Sequence, residues 1–223
     1  GGPAASYRAI LGERSVSLAE GSVVLRWLHS VGAVTVDDQS HLYGRCSSET
    51  QVRLGRLVGF DRISAPAITT PGATPRPRPP VNADLLRFER PERAREMGDA
   101  LRVEQDWTIP PGVLVDTNLV VAGELRIGKG ARIRGNVKAH GEVQVGMGAV
   151  VEGSLVSRKA IAIGEECWID GPVLSEEHLR IAAGTNVGSP DAPTTVAGRT
   201  VSLGLGVMVS GQIVTEEGGQ TES

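Results

Sequence analysis

Residues 125–153 read LRIGKGARIRGNVKAHGEVQVGMGAVVEG, and this stretch decides the fold. Its glycines return at a fixed 18-residue interval, as from Gly135 to Gly153. Between the glycines, apolar and polar residues alternate, as in 143–145, which is the period of a strand with one buried face. A fixed repeat of this length indicates a solenoid in which each repeat is one coil.

Each coil has room for three short strands with corners between them, which predicts a triangular cross-section. On what we term the first face, the inward pairs are Leu125/Ile127, Val143/Val145, Ile161/Ile163, Leu179/Ile181 and Val201/Leu203. On the second face they are Val113/Val115, Ala131/Ile133, Ala149/Val151, Cys167/Ile169, Thr185/Val187 and Val207/Val209. On the third face they are Leu119/Val121, Val137/Ala139, Leu155/Ser157, Val173/Ser175 and Ile213/Thr215. The sequence therefore predicts an all-β protein, a β-helix (β-solenoid) with triangular 18-residue coils.

The same period divides the chain into regions. Val16, Val34 and Val52 follow one another at the 18-residue spacing, which predicts N-terminal coils over residues 15–68 after a tail at 1–14. Residues 69–100 are rich in proline, which cannot donate to a ladder, and are expected to form a linker with a short helix over 91–98. The main β-helix is predicted over 101–217, with four residues inserted at a corner somewhere within 188–193 and a disordered tail at 218–223.

Composition narrows the function classes. Among the 223 residues, the formal charge of −3 gives no reason to expect nucleic acid, and the two cysteines, Cys46 and Cys167, favour a reducing, cytoplasmic location. No apolar run reaches the ~20 residues that span a bilayer. The Gly-x-Gly corners are not followed by a predicted helix, so no nucleotide site is expected, and the four histidines show no metal-ligand spacing. We expect no cofactor, no metal and no catalytic residues.

Residues that point outward between the inward pairs differ among the faces. Those of the first face are mostly polar, whereas those of the third face are mostly apolar, which indicates either strand propensity or a contact surface. The last coil is followed by no apolar lid, and an uncovered strand edge is a template for pairing. We therefore predict self-association through the C-terminal coil and an apolar strip. The residues assigned to this surface are Val156, Leu174, Val196, Val214, Val209 and Trp168.

The run Gly135–Gly153, with its Gly-x-Val-x-Ala and Val-x-Val-Gly steps, resembles the bactofilins, a family of polymer-forming bacterial cytoskeletal proteins. The resemblance covers about residues 107–215. It implies a right-handed β-helix that assembles end to end into filaments without nucleotide, beneath the cytoplasmic membrane. It also implies that the partners are further copies of the chain, with membrane attachment supplied by membrane-bound proteins or by segments outside this chain. The extra N-terminal coils and the proline-rich break depart from the family pattern.

Two alternatives to a scaffold stay open at this point. Left-handed hexapeptide-repeat proteins also place an aliphatic residue every six positions, and a trimeric acyltransferase of that type would need His140 or His178 at a cleft between subunits. A carbohydrate-binding β-helix is the third possibility.

Overall fold

The computed structural model describes residues 4–80 and 85–223. The first three residues of the expected N-terminal tail and residues 81–84 of the expected linker lie outside this range. Within it, the chain is all-β, and its strands stack coil on coil, which confirms the predicted β-solenoid. No helix of the described chain is long and apolar enough to cross a membrane.

The N-terminal solenoid stacks its strands in parallel at the predicted period. Val34 pairs with Val16 on one side and with Val52 on the other. Its seven strands are β1 (Ser6–Gly12), β2 (Val16–Leu18), β3 (Val23–Ser30), β4 (Val34–Val36), β5 (His41–Ser48), β6 (Gln51–Leu54) and β7 (Gly59–Thr69). The expectation of a tail through residue 14 was wrong, because β1 pairs in parallel with β3 and forms part of the first coil.

The main solenoid contains most of the strands, nearly all paired in parallel with the strand one coil away. Val143, for example, lies between Leu125 and Ile161, as the 18-residue spacing predicted. Its strands are β10 (Ala100–Val103), β11 (Trp107–Ile109), β12 (Val113–Val115), β13 (Asn118–Val121), β14 (Leu125–Ile127), β15 (Arg132–Ile133), β16 (Val137–Ala139), β17 (Val143–Val145), β18 (Val150–Val151), β19 (Leu155–Ser157), β20 (Ile161–Ile163), β21 (Trp168–Ile169), β22 (Val173–Ser175), β23 (His178–Ile181), β24 (Asn186–Val187), β25 (Thr194–Leu203) and β26 (Met208–Thr221).

The four-residue insertion lies at a corner of the main solenoid, as predicted. His178 pairs with Thr200 across the lengthened coil, and Ser189 and Ala192 form a small bridge within the loop. The prediction for Val196 was wrong, however. Val173 and its partner Val196 are separated by one residue more than His178 and its partner Thr200. Val196 therefore takes an inward position, and its side chain is fully buried.

The C-terminal coil does not end in an open edge, which corrects the sequence-based prediction. Strand β26 continues to Thr221, where a disordered tail was expected from residue 218. Its outer edge pairs antiparallel with β7, the last strand of the N-terminal solenoid. The two solenoids therefore meet at their C-terminal ends and share one core. We term this contact the joint.

The start of the main solenoid is covered by a short preceding segment that contains β8 (Leu86–Arg87) and β9 (Ala94–Met97). Strand β9 forms an antiparallel hairpin with β10, and β8 pairs with β12. The prediction of a helix over 91–98 was wrong. These residues instead cover the end of the solenoid by main-chain pairing.

One sheet runs the whole length of the molecule. From β1 it passes through β3, β5 and β7, crosses the joint to β26, and continues through β25, β22, β19, β16, β13 and β10 to β9. Because adjacent strands lie ~4.8 Å apart, these twelve strands make a sheet roughly 50 Å long. It forms the third face of the main solenoid and continues onto the N-terminal solenoid.

The proline-rich residues 70–80, which we term the strap, run along the outside of the main solenoid. The strap leaves the joint at Pro71, whose carbonyl accepts a hydrogen bond from the Gly206 N–H at 2.7 Å. Further along, the Arg76 guanidinium donates to the carbonyl of Gly184, one coil closer to the start of the main solenoid. The segment is extended, as predicted, and bonded to one coil after another.

Candidate assembly surfaces

Two threonines, one on each side of the joint, make the same pair of hydrogen bonds across it. The Thr70 hydroxyl donates to the Gly204 carbonyl at 2.7 Å and accepts from the Val207 N–H at 2.8 Å. The Thr221 hydroxyl donates to the Gly55 carbonyl and accepts from the Val58 N–H, both at 2.8 Å. Both side chains are buried.

Each threonine hydroxyl occupies the position that a hydroxyl of the next coil would occupy if the opposite solenoid continued. Inside the main solenoid, Thr185 bridges the Gly164 carbonyl and the Cys167 N–H in the same way. Thr70 repeats that arrangement on the last coil. Each half of the chain therefore supplies the continuation of the other, which satisfies main-chain groups that a free end would leave unpaired.

Two of the residues predicted to mediate self-association lie in the core. Val209 pairs with Ile68 across the joint, and Val196 pairs with Val173 and Ile213. Both valines are fully buried, so neither side chain is available to another molecule.

Three other predicted residues lie on the third face and form part of one outward row. Val156 pairs with Leu174, which pairs with Ala197 and, through it, with Val214. Ala197 thus takes the place predicted for Val196. The side chains of Val156, Leu174 and Val214 are half-buried, and the row continues across the joint to Arg62.

Trp168, the sixth predicted residue, is buried on the second face under the strap. Its indole Nε1–H donates to the Asp170 carboxylate at 2.7 Å, and the same carboxylate accepts a hydrogen bond from Arg78 of the strap at 2.5 Å. The outward residues of the second face include both apolar and polar side chains, and the strap runs over this face.

A buried arginine fixes the far end of the strap. Arg132 Nε lies 2.7 Å from the Glu152 carboxylate, and Arg132 Nη1 donates to the carbonyls of Pro79 and Pro80 at 3.0 and 2.9 Å. Sequence reasoning missed this site. Its signal was an arginine among apolar neighbours at an outward position, since Arg132 stands in a row with Val150.

The residues that a catalytic alternative would use are placed apart. The His178 Nδ1 lies 2.7 Å from the Thr200 hydroxyl on the exposed first face, whereas His140 lies at a corner two coils earlier. The structure groups no three metal-ligating side chains anywhere in the described ranges. Burial raises the pKa of the Cys46 thiol to about 12 and that of the Cys167 thiol to about 11. Both thiols are therefore protonated packing groups at neutral pH.

No family model, curated protein or solved structure matches this chain.

Proposed function

We propose that this chain is a structural protein, a rigid β-solenoid scaffold that associates with further copies of itself. The observation that carries the proposal is the joint. There, two independently wound solenoids join end to end by antiparallel main-chain pairing and by the paired threonines Thr70 and Thr221. Solenoid ends built from this sequence are thus compatible with one another.

The continuous core supports the same proposal. Ile63 and Ile213 are fully buried at the joint, as are Ile133 and Ile163 deep in the main solenoid. A single aliphatic core under one sheet resists bending, because close-packed interiors transmit strain instead of yielding. Such stiffness suits a load-bearing or spacing element.

The resemblance to bactofilins supports a cytoskeletal role without nucleotide, and we extend the proposal to assembly at a membrane surface through other proteins or other segments. A filament of bactofilin type would have to form differently here, because the C-terminal end of the main solenoid is occupied by β7. We propose no catalytic activity. The acyltransferase alternative would need His140 or His178 at a cleft between subunits, and the Nδ1 atom of His178 lies 2.7 Å from the Thr200 hydroxyl of its own chain.

Sedimentation velocity over a wide range of protein concentration tests the proposal, with negative-stain microscopy of the same samples. We expect the weight-average sedimentation coefficient to rise with concentration and the particles to lengthen along one axis. A chain that stays monomeric at every concentration would contradict self-association. Calorimetric titration with acetyl coenzyme A is the control for the enzyme class, and saturable binding would support that alternative.

A further inference from the structure

The joint leaves the molecule with two outer ends, and these ends differ in how their strand edges are treated. One is the start of the main solenoid, covered by β8 and β9. The other is the first coil of the N-terminal solenoid, where β1 is the outermost strand. Each outer end is the N-terminal end of a solenoid, because the two C-terminal ends pair with each other at the joint.

The covered end is built to prevent further pairing. Its outermost strand, β9, is four residues long and carries the exposed charges Arg95 and Glu96. Short, charged edge strands are a device by which proteins avoid edge-to-edge association. Phe88 adds to the cover, since its ring contacts the Trp107 ring edge to face at a centroid distance of 5.5 Å.

The other end has the opposite character. Strand β1 has seven residues, and within the described chain it pairs only with β3. Tyr7 and Ile10 stand above the buried Val24 and Leu28, so they are core positions of the first coil, yet Tyr7 is exposed and Ile10 only half-buried. Leu11 is 69% exposed on the same strand. The edge is long and mainly apolar, with Arg8 as its one charged residue, and it lies over a coil whose core positions are incompletely covered.

We propose that two copies of this chain associate through β1, strand against strand and antiparallel, to form a closed two-fold dimer. This inference rests on the proposed self-association and names its surface. Because the same edge is used by both copies, the contact is isologous and does not propagate. The occupant of this edge is a second copy because the chain already joins two of its own solenoid ends in the same antiparallel manner at the joint.

The register follows from which residues of β1 face inward and which face outward. Only a register that places inward residues opposite inward residues lets the two cores meet, since a slip of one residue turns every side chain to the other face. A two-fold axis at Ile10 meets this condition at the centre of the strand pair, where the inward Ile10 lies opposite Ile10 and the outward Ala9 lies opposite Leu11 of the second copy.

A cysteine placed at the proposed axis tests the dimer directly. Two Cα atoms directly opposite each other across an antiparallel pair lie within the ~4.4–6.8 Å that a disulfide bridges. Ile10→Cys is therefore expected to form a covalent dimer on mild oxidation. The control is Leu86→Cys, because Leu86 is 63% exposed at the covered end and should give no such dimer. The native thiols are buried and do not compete.

Two variants that place opposite charges at position 10 provide a second, independent test of the dimer. Ile10→Lys and Ile10→Glu each place like charges opposite one another, so each variant alone should sediment as a monomer, while an equimolar mixture should sediment as a dimer. Wild-type particles should reach two-fold mass and twice the length, and no more.

The outcomes separate this inference from the proposed function. Assembly beyond dimers, association unchanged in the lysine and glutamate variants, or cross-linking at Leu86→Cys instead of Ile10→Cys would overturn the β1 dimer and leave the scaffold proposal standing. A wild type that is monomeric at every concentration would overturn both.

Discussion

Ile63, in the last strand of the N-terminal solenoid, lies directly opposite Ile213 in the last strand of the main solenoid, and both side chains are fully buried. The two residues lie far apart in the chain and belong to separately wound coils. Because they share one core, the two solenoids form a single packed unit, and a defect at the joint should be felt by both.

Ile63→Ala is expected to lower the free energy of unfolding by about 2–5 kcal/mol, since it leaves a cavity in a close-packed core. Urea denaturation followed by circular dichroism measures the change. The control is Leu11→Ala, an exposed position on β1 at low protein concentration, where a change within about 0.5 kcal/mol is expected. A separate early transition for residues 4–69 in the wild type would show that the joint does not couple the two solenoids.

The threonines of the joint should contribute equally. Thr70→Val and Thr221→Val each leave a buried N–H and a buried carbonyl without a partner, which costs about 1–3 kcal/mol. Thr185→Val, the same change inside the main solenoid, should cost a similar amount, whereas Thr108→Val on the exposed first face should be neutral. Neutral behaviour at Thr70 and Thr221 would mean that the hydroxyl bridges add nothing to the joint.

Features with the solenoid period could be predicted from the sequence, because a coil pairs with its neighbour at a fixed spacing. The stacking of Val16, Val34 and Val52 is confirmed for that reason. The joint could not be predicted, since antiparallel pairing of Ile63 with Ile213 has no periodic signature. The position predicted for Val196 was wrong because the spacing between paired residues is uneven here. The spacing from Val173 to Val196 is longer than the insertion alone requires, and the spacing from Val196 to Ile213 is shorter than the regular repeat. Only the path of the chain through the corner determines how the inserted residues are distributed between the two spacings.

The remaining differences have local causes. The proline and glycine that flank 91–98 fit a helix, yet pairing with β10 satisfies more main-chain groups at a solenoid end, so tertiary context prevails over the local signal. Of the predicted self-association surface, Val156, Leu174 and Val214 remain partly exposed, so their role in association stays a prediction. Trp168 was assigned to the same surface, but it is buried under the strap, where its indole and Arg78 share the Asp170 carboxylate.

The strap should come loose when its buried anchor is removed. Arg132→Ala leaves the partly exposed Glu152 carboxylate without its close partner and two proline carbonyls without a donor, which should cost about 1–3 kcal/mol. We expect faster proteolytic cleavage within residues 70–80 in the variant. The matched control is Arg126→Ala, an exposed arginine of the neighbouring face, whose cleavage rate should equal that of the wild type. Equal rates in Arg132→Ala would show that the strap is held by other contacts.

Gly211 occupies a position in β26 that only glycine fits. Its φ is 122°, and a Cβ there would collide with the main chain of Thr194. Gly130 also has a positive φ, of 64°, but a Cβ there meets nothing within 4 Å. Gly130→Ala should therefore cost only the left-handed penalty of about 1–2 kcal/mol. Gly211→Ala should cost distinctly more in urea denaturation, and equal losses would argue against the close approach of the two strands.

The buried thiols predict how stability depends on alkaline pH. Burial raises the pKa of Cys46 to about 12 and that of Cys167 to about 11, from an ordinary value of 9.0. Below pH 9 both states keep the thiols protonated, so this contribution to stability is fully present. Above pH 9 the unfolded chain ionises first and binds fewer protons than the native state, so the free energy of unfolding falls as pH rises. Between pH 8 and 10 the expected loss is about 1 kcal/mol per thiol. Urea denaturation at the two pH values measures it, and the double variant Cys46→Ala/Cys167→Ala corrects for all other titrating groups. If the double variant loses as much stability over this interval as the wild type does, the thiols are not held protonated by the solenoid core.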